Sequence, residues 1–293
     1  MIIIDGPAGN GIGRKIARIL GSEYLSTEHK TFPDSESYLR IPGLHDPDNV
    51  VIVQSTYQPQ DKHIIELLLM ADAVKGMGAK SITAVVPYLA YARQNKQFNE
   101  GEPVSIKTVM KLFVNAGIDS LVTVEPHKPD LETIFSGKVA LIGMIKPLAE
   151  KLRKDVSEPF VLAPDRSSYP RARLLAEELG CECDYIDKER DKSTGEVKIV
   201  ESLRKDPEGK EAVIVDDMIT TGGTIVASAR LLKANGAKDI FAAAAHLLMV
   251  NDAYEKLKSA GVSKIYGSNT VPYENASVFD VSPYIASAIN GLE

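Results

Sequence analysis

Tryptophan is absent from the 293 residues, and cysteine occurs only at Cys181 and Cys183. Two cysteines one residue apart exclude a disulfide framework and a CxxC site, so free thiols in a reducing cytoplasm are expected. No apolar run approaches the roughly 18 residues of a membrane-spanning helix, and the Ile2-Ile3-Ile4 stretch turns polar at Asp5, too soon for a secretion signal. Positive charge is not in excess either: 34 Lys and Arg against 40 Asp and Glu give a formal charge of −6. That balance argues against a nucleic-acid coat or a membrane-surface binder. It confines any polyanion site to a local cluster of basic side chains. The expectation is a soluble cytoplasmic protein with neither nucleic acid nor membrane as a partner.

What is present is ordinary globular material, 44% hydrophobic and 25% charged. The length favours two domains of about 150 residues each. β-branched runs at Ile2–Ile4, Val50–Val53, Ile82–Val86, Leu121–Val124, Phe160–Ala163, Ala212–Val215 and Ile240–Ala244 alternate with helix-period stretches such as Ile64–Lys75, Ile106–Ala116 and Thr224–Ala234. Continuous apolar strands spaced by helices predict an α/β fold with a mostly parallel sheet covered on both faces.

The two halves match each other in order. Ile2-Ile3-Ile4 through Gly21 aligns with Val161-Leu162-Ala163 through Gly180, and Val51-Ile52-Val53 with Val213-Ile214-Val215. Lys75, Gly78, Ala79, Lys80 and Ile82 align with Lys233, Gly236, Ala237, Lys238 and Ile240, and Ala116-Gly117-Ile118 with Ala260-Gly261-Val262. The pattern predicts two duplicated doubly wound domains, 1–145 and 146–293, with the last residues packing back on the first. The duplicates differ where chemistry is expected. After the strand, the first half has Gln54-Ser55 and the second has Asp216-Asp217, at the carboxyl end where open α/β sheets bind ligands.

The segment from Val213 to Thr224 is the most specific in the chain. A buried strand delivers Asp216 and Asp217, and then Thr220-Thr221-Gly222-Gly223-Thr224 opens into a helix. Backbone N–H groups of such a loop, the helix N-terminus and the threonine hydroxyls make a seat for a phosphate monoester. The two carboxylates would repel that phosphate, so they are expected to accept hydrogen bonds from sugar hydroxyls. The plain alternative is a capped turn with surface acids. Gly6-Pro-Ala-Gly-Asn-Gly-Ile-Gly13 is a decoy by comparison, lacking both the G-x-G-x-x-G spacing and a following GK[ST].

This segment resembles the phosphoribosyl-diphosphate-binding motif shared by phosphoribosyltransferases and ribose-phosphate diphosphokinases. Further segments, in family order across nearly the whole chain, resemble the diphosphokinases: Thr31-Phe-Pro-Asp-Ser-Glu36, Pro87-Tyr-Leu-Ala-Tyr-Ala-Arg-Gln-Asn-Lys96, Pro164-Asp165 to Arg171-Ala172, and Asp187-Lys-Glu-Arg190. The resemblance implies two phosphoribosyltransferase-like domains. It also implies transfer of the β,γ-diphosphate of MgATP to the 1-hydroxyl of ribose 5-phosphate, yielding phosphoribosyl diphosphate and AMP for nucleotide biosynthesis, with Mg2+ as cofactor. Phe32 would stack on adenine while Asp34 and Glu36 contact the nucleotide. Arg93, Gln94, Lys96 and His127 would hold ATP. His127 and Asp165 would serve the metal, and Lys188 and Arg190 would be catalytic on a mobile loop. Asp216 and Asp217, with Thr220, Thr221, Gly222, Gly223 and Thr224, would bind ribose 5-phosphate.

A homo-oligomer is also implied, with the Phe32 segment reaching a neighbour's ATP site. The chain departs from the family pattern at Asn95, at Ser167-Ser168 in place of a glycine pair, at Thr220 in place of an acid, and at Glu125-Pro126 in place of an Asp-Leu pair. These variations resemble the shorter, archaeal-type members.

Overall fold

The computed structural model describes residues 1–127, 130–190 and 199–292; the side chains of 187–190 and 199–201 lie outside the description. The chain divides into two compact units, one of residues 1–143 with 269–272 and 280–293, the other of 144–268 with 273–279.

The first unit contains β1 (Ile2–Asp5), α1 (Ile12–Leu20), β2 (Glu23–Ser26), β3 (Glu28–Thr31), β4 (Ser37–Arg40), β5 (Asn49–Val53), α2 (Gln60–Gly76), β6 (Ser81–Val86), α3 (Ser105–Asn115), β7 (Ser120–Val124) and β8 (Lys138–Ile142). The second contains α4 (Ile145–Asp155), β9 (Pro159–Ala163), α5 (Tyr169–Leu179), β10 (Glu182–Tyr185), β11 (Asp187–Arg190), β12 (Ile199–Ser202), β13 (Glu211–Ile219), α6 (Gly223–Ala234), β14 (Asp239–Leu247), α7 (Ala253–Ser259), β15 (Lys264–Ser268) and β16 (Ser277–Phe279). The final helix, α8 (Ser282–Leu292), belongs to the first unit, where it packs on α1 and Lys15 Nζ reaches Asp280 at 2.7 Å.

Each unit has one six-stranded parallel sheet, in the orders β2-β1-β5-β6-β7-β8 and β10-β9-β13-β14-β15-β16. The two orders are the same pattern. Each unit also carries one antiparallel hairpin after its second strand, β3–β4 in one and β11–β12 in the other. The duplication read from the sequence is therefore a duplication of topology. It reaches single residues: Lys75 lies against Gly117 and Lys233 against Gly261, and both glycines have positive φ, 88° and 98°. Every β-branched run named above is a sheet strand, and all three amphipathic stretches are helices.

The central strands are apolar without alternation because helices cover both faces. β7 is buried at all five positions, and β5 and β9 at four of five. Ile4, Ile52, Leu67, Met70, Ile82 and Phe113 join one core; Leu162, Ile214, Leu232, Ile240, Leu257 and Ile265 join the other. Burial pushes the Cys181 thiol up to about 11 and raises Cys183, so neither is a ready thiolate. No helix among the described residues is long and apolar enough to cross a membrane.

The strand order has a consequence for function. In the second unit it reverses direction between β9 and β13, and in the first between β1 and β5. Loops leaving two neighbouring strands diverge at such a point and open a crevice at the carboxyl ends.

Candidate functional site

In the second unit, β13 outlasts its neighbour. Its ladder to β9 ends at Ile214, while its ladder to β14 runs on to Ile219. Asp216 and Asp217 therefore stand beyond the end of β9, inside the crevice rather than on a surface turn. The loop after β9 fills the other wall. Ser168 Oγ donates to Asp216 Oδ1 at 2.9 Å, and Arg171 approaches the same oxygen at 3.8 Å from the first turn of α5. Burial, with the adjacent Asp217 carboxylate, pushes Asp216 up to about 6, although the Ser168 hydroxyl and Arg171 favour its charged form.

The loop from Thr220 to Thr224 completes the crevice. Gly222 has φ 75° and serves as the N-cap of α6, a conformation that a residue with a Cβ adopts only at a cost. No side chain caps α6, and its first turn holds no acid. Its leading N–H groups are thus open to an anion. Thr221, Gly223 and Thr224 are exposed, and a Cβ built on Gly223 would meet nothing within 4 Å. The corresponding stretch of the first unit lacks this seat. By the register that aligns Lys75 with Lys233, residues 220–224 correspond to 62–66 inside α2, so the first unit is helical where the second has its loop.

Asp165 lies in the same loop as Ser168. Burial raises its pKa, but hydrogen bonds from Ser167 and Ser168 outweigh it and hold the carboxyl below its usual range. The Ser167 hydroxyl and the Ser168 N–H donate to Oδ1 at 2.6 and 3.0 Å. Ser168 has φ −85°, and Ser167 is not among the residues of positive φ. The serine pair thus replaces glycines without strain. Asp165 is an ionised, hard oxygen donor, and magnesium is commonly held by one or two carboxylates with substrate phosphates and water. The residues present fit that mode. Among the described residues no group of three or more His, Cys, Asp or Glu gathers to enclose a metal by itself.

The nucleotide candidates lie in the first unit, on three separate loops at the carboxyl edge of its sheet. Phe32 sits at the head of the β3–β4 hairpin, between the two strands. Ser35 N–H closes the turn on Phe32 O at 2.9 Å, with Pro33 and Asp34 between and Ser35 at φ 76°. Pro and Asp suit those turn positions, and the short strands on either side escape pattern reading. Phe32 is 39% exposed, with Lys30 Nζ 4.9 Å over its ring and Tyr38 edge-on at 6.1 Å. Asp34 Oδ1 accepts from the Glu36 N–H at 3.2 Å, so the Asp34 carboxylate is held at the turn.

The segment after β6 is pinned by polar residues that follow β5: the Tyr88 N–H donates to Ser55 Oγ at 3.0 Å and the Ala90 N–H to Thr56 Oγ1 at 2.8 Å. Gln94 accepts the Ser105 hydroxyl at 2.5 Å, while Arg93 and Lys96 are exposed. His127 follows β7 and is exposed. Lys188 and Arg190 lie on β11, and their side chains are outside the described residues. Ser55 and Thr56 had no assigned role in the sequence, and Ser168 and Arg171 were read only as part of the segment after Pro164. Their contacts depend on which strands become neighbours.

Comparison with known proteins matches this architecture over its full length. The profile of the N-terminal domain of ribose phosphate pyrophosphokinase matches residues 1–117, and that of the phosphoribosyl transferase domain matches residues 131–276. A ribose-phosphate pyrophosphokinase of Saccharolobus solfataricus is 45% identical over 291 residues, 99% of this chain and 100% of the relative. The chain belongs to the ribose-phosphate pyrophosphokinase family. A second such enzyme, of Methanobrevibacter smithii, is 37% identical over 94% of this chain and 96% of its own. The crystal structure of phosphoribosylpyrophosphate synthetase from Mycobacterium smegmatis superposes with a TM-score of 0.87 at 28% identity, covering 99% of this chain and 98% of that one. Family members are thus matched in both units at once, whereas a one-domain phosphoribosyltransferase would account for half the chain.

Proposed function

We propose that the chain transfers the β,γ-diphosphate of MgATP to the 1-hydroxyl of ribose 5-phosphate, releasing AMP. The observation that carries this reading is the second unit's switch point, where Asp216 and Asp217 near the end of β13 are followed by the uncapped start of α6. One end suits a phosphate and the other suits sugar hydroxyls. The 5-phosphate sits on the N–H groups and hydroxyls of residues 220–224, and Asp216 and Asp217 accept from the ribose.

The remaining roles follow the family pattern. Phe32 offers a ring for adenine, held between Lys30 and Tyr38, and Asp34 and Glu36 present acceptors at the same turn. Arg93 and Lys96 answer the triphosphate charge, and Gln94 lies beside them with its amide oxygen already engaged by Ser105. Asp165 is the group of the second unit that would hold magnesium, and His127 is the one of the first. When bound, that ion neutralises the phosphate charge and polarises the transferring phosphoryl group. Lys188 and Arg190 balance the charge that builds as the bond to AMP breaks. Positioning and electrostatics dominate such transfers, since little covalent work falls to the protein. The hairpin bearing Phe32 serves a neighbouring subunit of a homo-oligomer.

The test is release of AMP from MgATP by the purified chain with and without ribose 5-phosphate. AMP should appear only with the sugar phosphate, in equal amount with phosphoribosyl diphosphate. AMP release indifferent to the sugar phosphate, or none at all, overturns the proposal.

A further inference from the structure

The first unit holds a fully buried carboxylate that the proposed reaction does not use. Glu66 on α2 has 0% exposure, and an unpaired charge there would cost several kcal/mol. Its partners come from three elements. Gln54, just past β5, donates through Nε2 to Oε2 at 3.1 Å. On Oε1, the Ser37 hydroxyl at the start of β4 donates at 2.9 Å, and His29 Nε2 on β3 stands at 3.0 Å. Lys62, one helical turn earlier on α2, lies 3.9 Å from the same oxygen, and its ammonium donates to Thr31 Oγ1 at 2.9 Å.

Two side chains of one helix thus hold β3 at positions 29 and 31 and β4 at position 37. These points flank the turn from Phe32 to Glu36 on both sides. The hairpin needs such a hold. It forms its own two-stranded sheet apart from the main one, β3 is exposed at all four positions, and only Leu39 and Ile41 at its far end pack on the core. An isolated two-stranded hairpin is marginal in water. Packing alone would be served as well by an apolar side chain of similar volume at position 66. A carboxylate with donors on both strands serves position instead. Gln54 ties the same cluster to the first loop of the unit, because its Oε1 accepts the Ala8 N–H at 2.8 Å.

We infer that Lys62 and Glu66 form a clamp that sets the place of the β3–β4 hairpin, and through it of Phe32, Asp34 and Glu36 against the nucleotide. Glu66 is a positioning residue for ATP and touches no substrate. The inference rests on the function proposed above, and two readouts separate the fates of the two ideas.

The first is kinetic. In Glu66→Gln, Ser37→Ala and Lys62→Met, the KM for ATP should rise by about tenfold or more, the scale of loss that small misplacements produce. The KM for ribose 5-phosphate should stay within about twofold of wild type. Ser37→Ala and Lys62→Met remove peripheral partners, so they decide the matter if Glu66→Gln fails to fold.

The second readout needs no activity. Since the chain has no tryptophan, Phe32→Trp places a single indole at the hairpin head. Adding Glu66→Gln or Ser37→Ala should lower its fluorescence anisotropy and raise its quenching by acrylamide. The melting temperature should move by only a few degrees. Unchanged anisotropy, or KM values for both substrates rising together with a fall in melting temperature, would show a carboxylate that merely supports the core. If wild type releases no AMP, the proposed reaction falls, and the indole still decides whether the clamp exists.

Discussion

Asp216 shows how burial can set a carboxyl against its own charge. Its pKa of about 6 lies above the 3.8 of a free carboxylate, so the folded state favours the protonated form. The stability linked to that proton is complete below about pH 4 and is lost as pH rises through about 6. Asp216→Asn should therefore stabilise the chain at pH 8, by on the order of 1–2 kcal/mol, with the gain vanishing near pH 4. Thermal melts at both pH values check it, and a gain independent of pH would contradict the assignment. As an acceptor Asp216 works ionised, so the KM for ribose 5-phosphate should climb as pH falls through about 6 in wild type and less steeply in Asp216→Asn. That comparison removes the titration of the substrate's own phosphate. Asp217→Asn should raise the KM for ribose 5-phosphate more than that for ATP; equal effects would assign the pair to the metal or the fold. Lys188→Ala and Arg190→Ala should lower kcat by about 10²–10³ with little change in either KM, because their contacts strengthen only as charge builds. Full turnover in either variant would remove that role.

At the scale of elements, the loop into α6 separates two uses of glycine. Gly222 has φ 75°, whereas Gly223 lies in the helix with open space where a Cβ would go. Gly222→Ala should cost about 1–2 kcal/mol through backbone strain, since its new methyl meets Leu257 and Ala253 only at ordinary contact distances. Gly223→Ala should leave the melting temperature near wild type and raise the KM for ribose 5-phosphate, because the methyl projects where the phosphate is seated. Denaturant titration and steady-state kinetics on the pair distinguish them. The reverse assignment, with Gly223→Ala unstable and Gly222→Ala impaired only in binding, would place the phosphate elsewhere. The loop after β9 makes the same point differently: serines serve there in place of glycines because the backbone stays at negative φ.

At the scale of the whole molecule, duplication has let the units diverge while keeping one topology. The second unit keeps an open Thr/Gly loop, and the first extends α2 through the matching positions and gives its hairpin an aromatic head. A reaction joining two substrates can use that division. If the hairpin serves a neighbouring subunit, Phe32→Ala and Lys188→Ala chains, each nearly inactive alone, should regain activity when refolded together. For a symmetric dimer with random pairing, half the molecules are mixed and each has one intact site, so recovery approaches roughly a quarter of wild type. No recovery despite proven exchange of subunits would assign the whole ATP site to a single chain.

Much of this was legible in the residues themselves. Apolar runs without alternation dictate parallel strands under helices, and the Thr/Gly stretch after the acid pair dictates an open turn into a helix, because both signals are local and sit in consecutive residues. The matched glycines and lysines announced the duplication for the same reason. The tertiary structure decided what depends on strand order. It placed Asp216 beside Ser168, 48 residues away, brought Ser55 and Thr56 beneath the segment after β6, and gathered Gln54, His29, Ser37 and Lys62 around Glu66. In the sequence Glu66 is one more acid on a helix. Only burial, which depends on every neighbour at once, turns it into a charge that must be met from three sides.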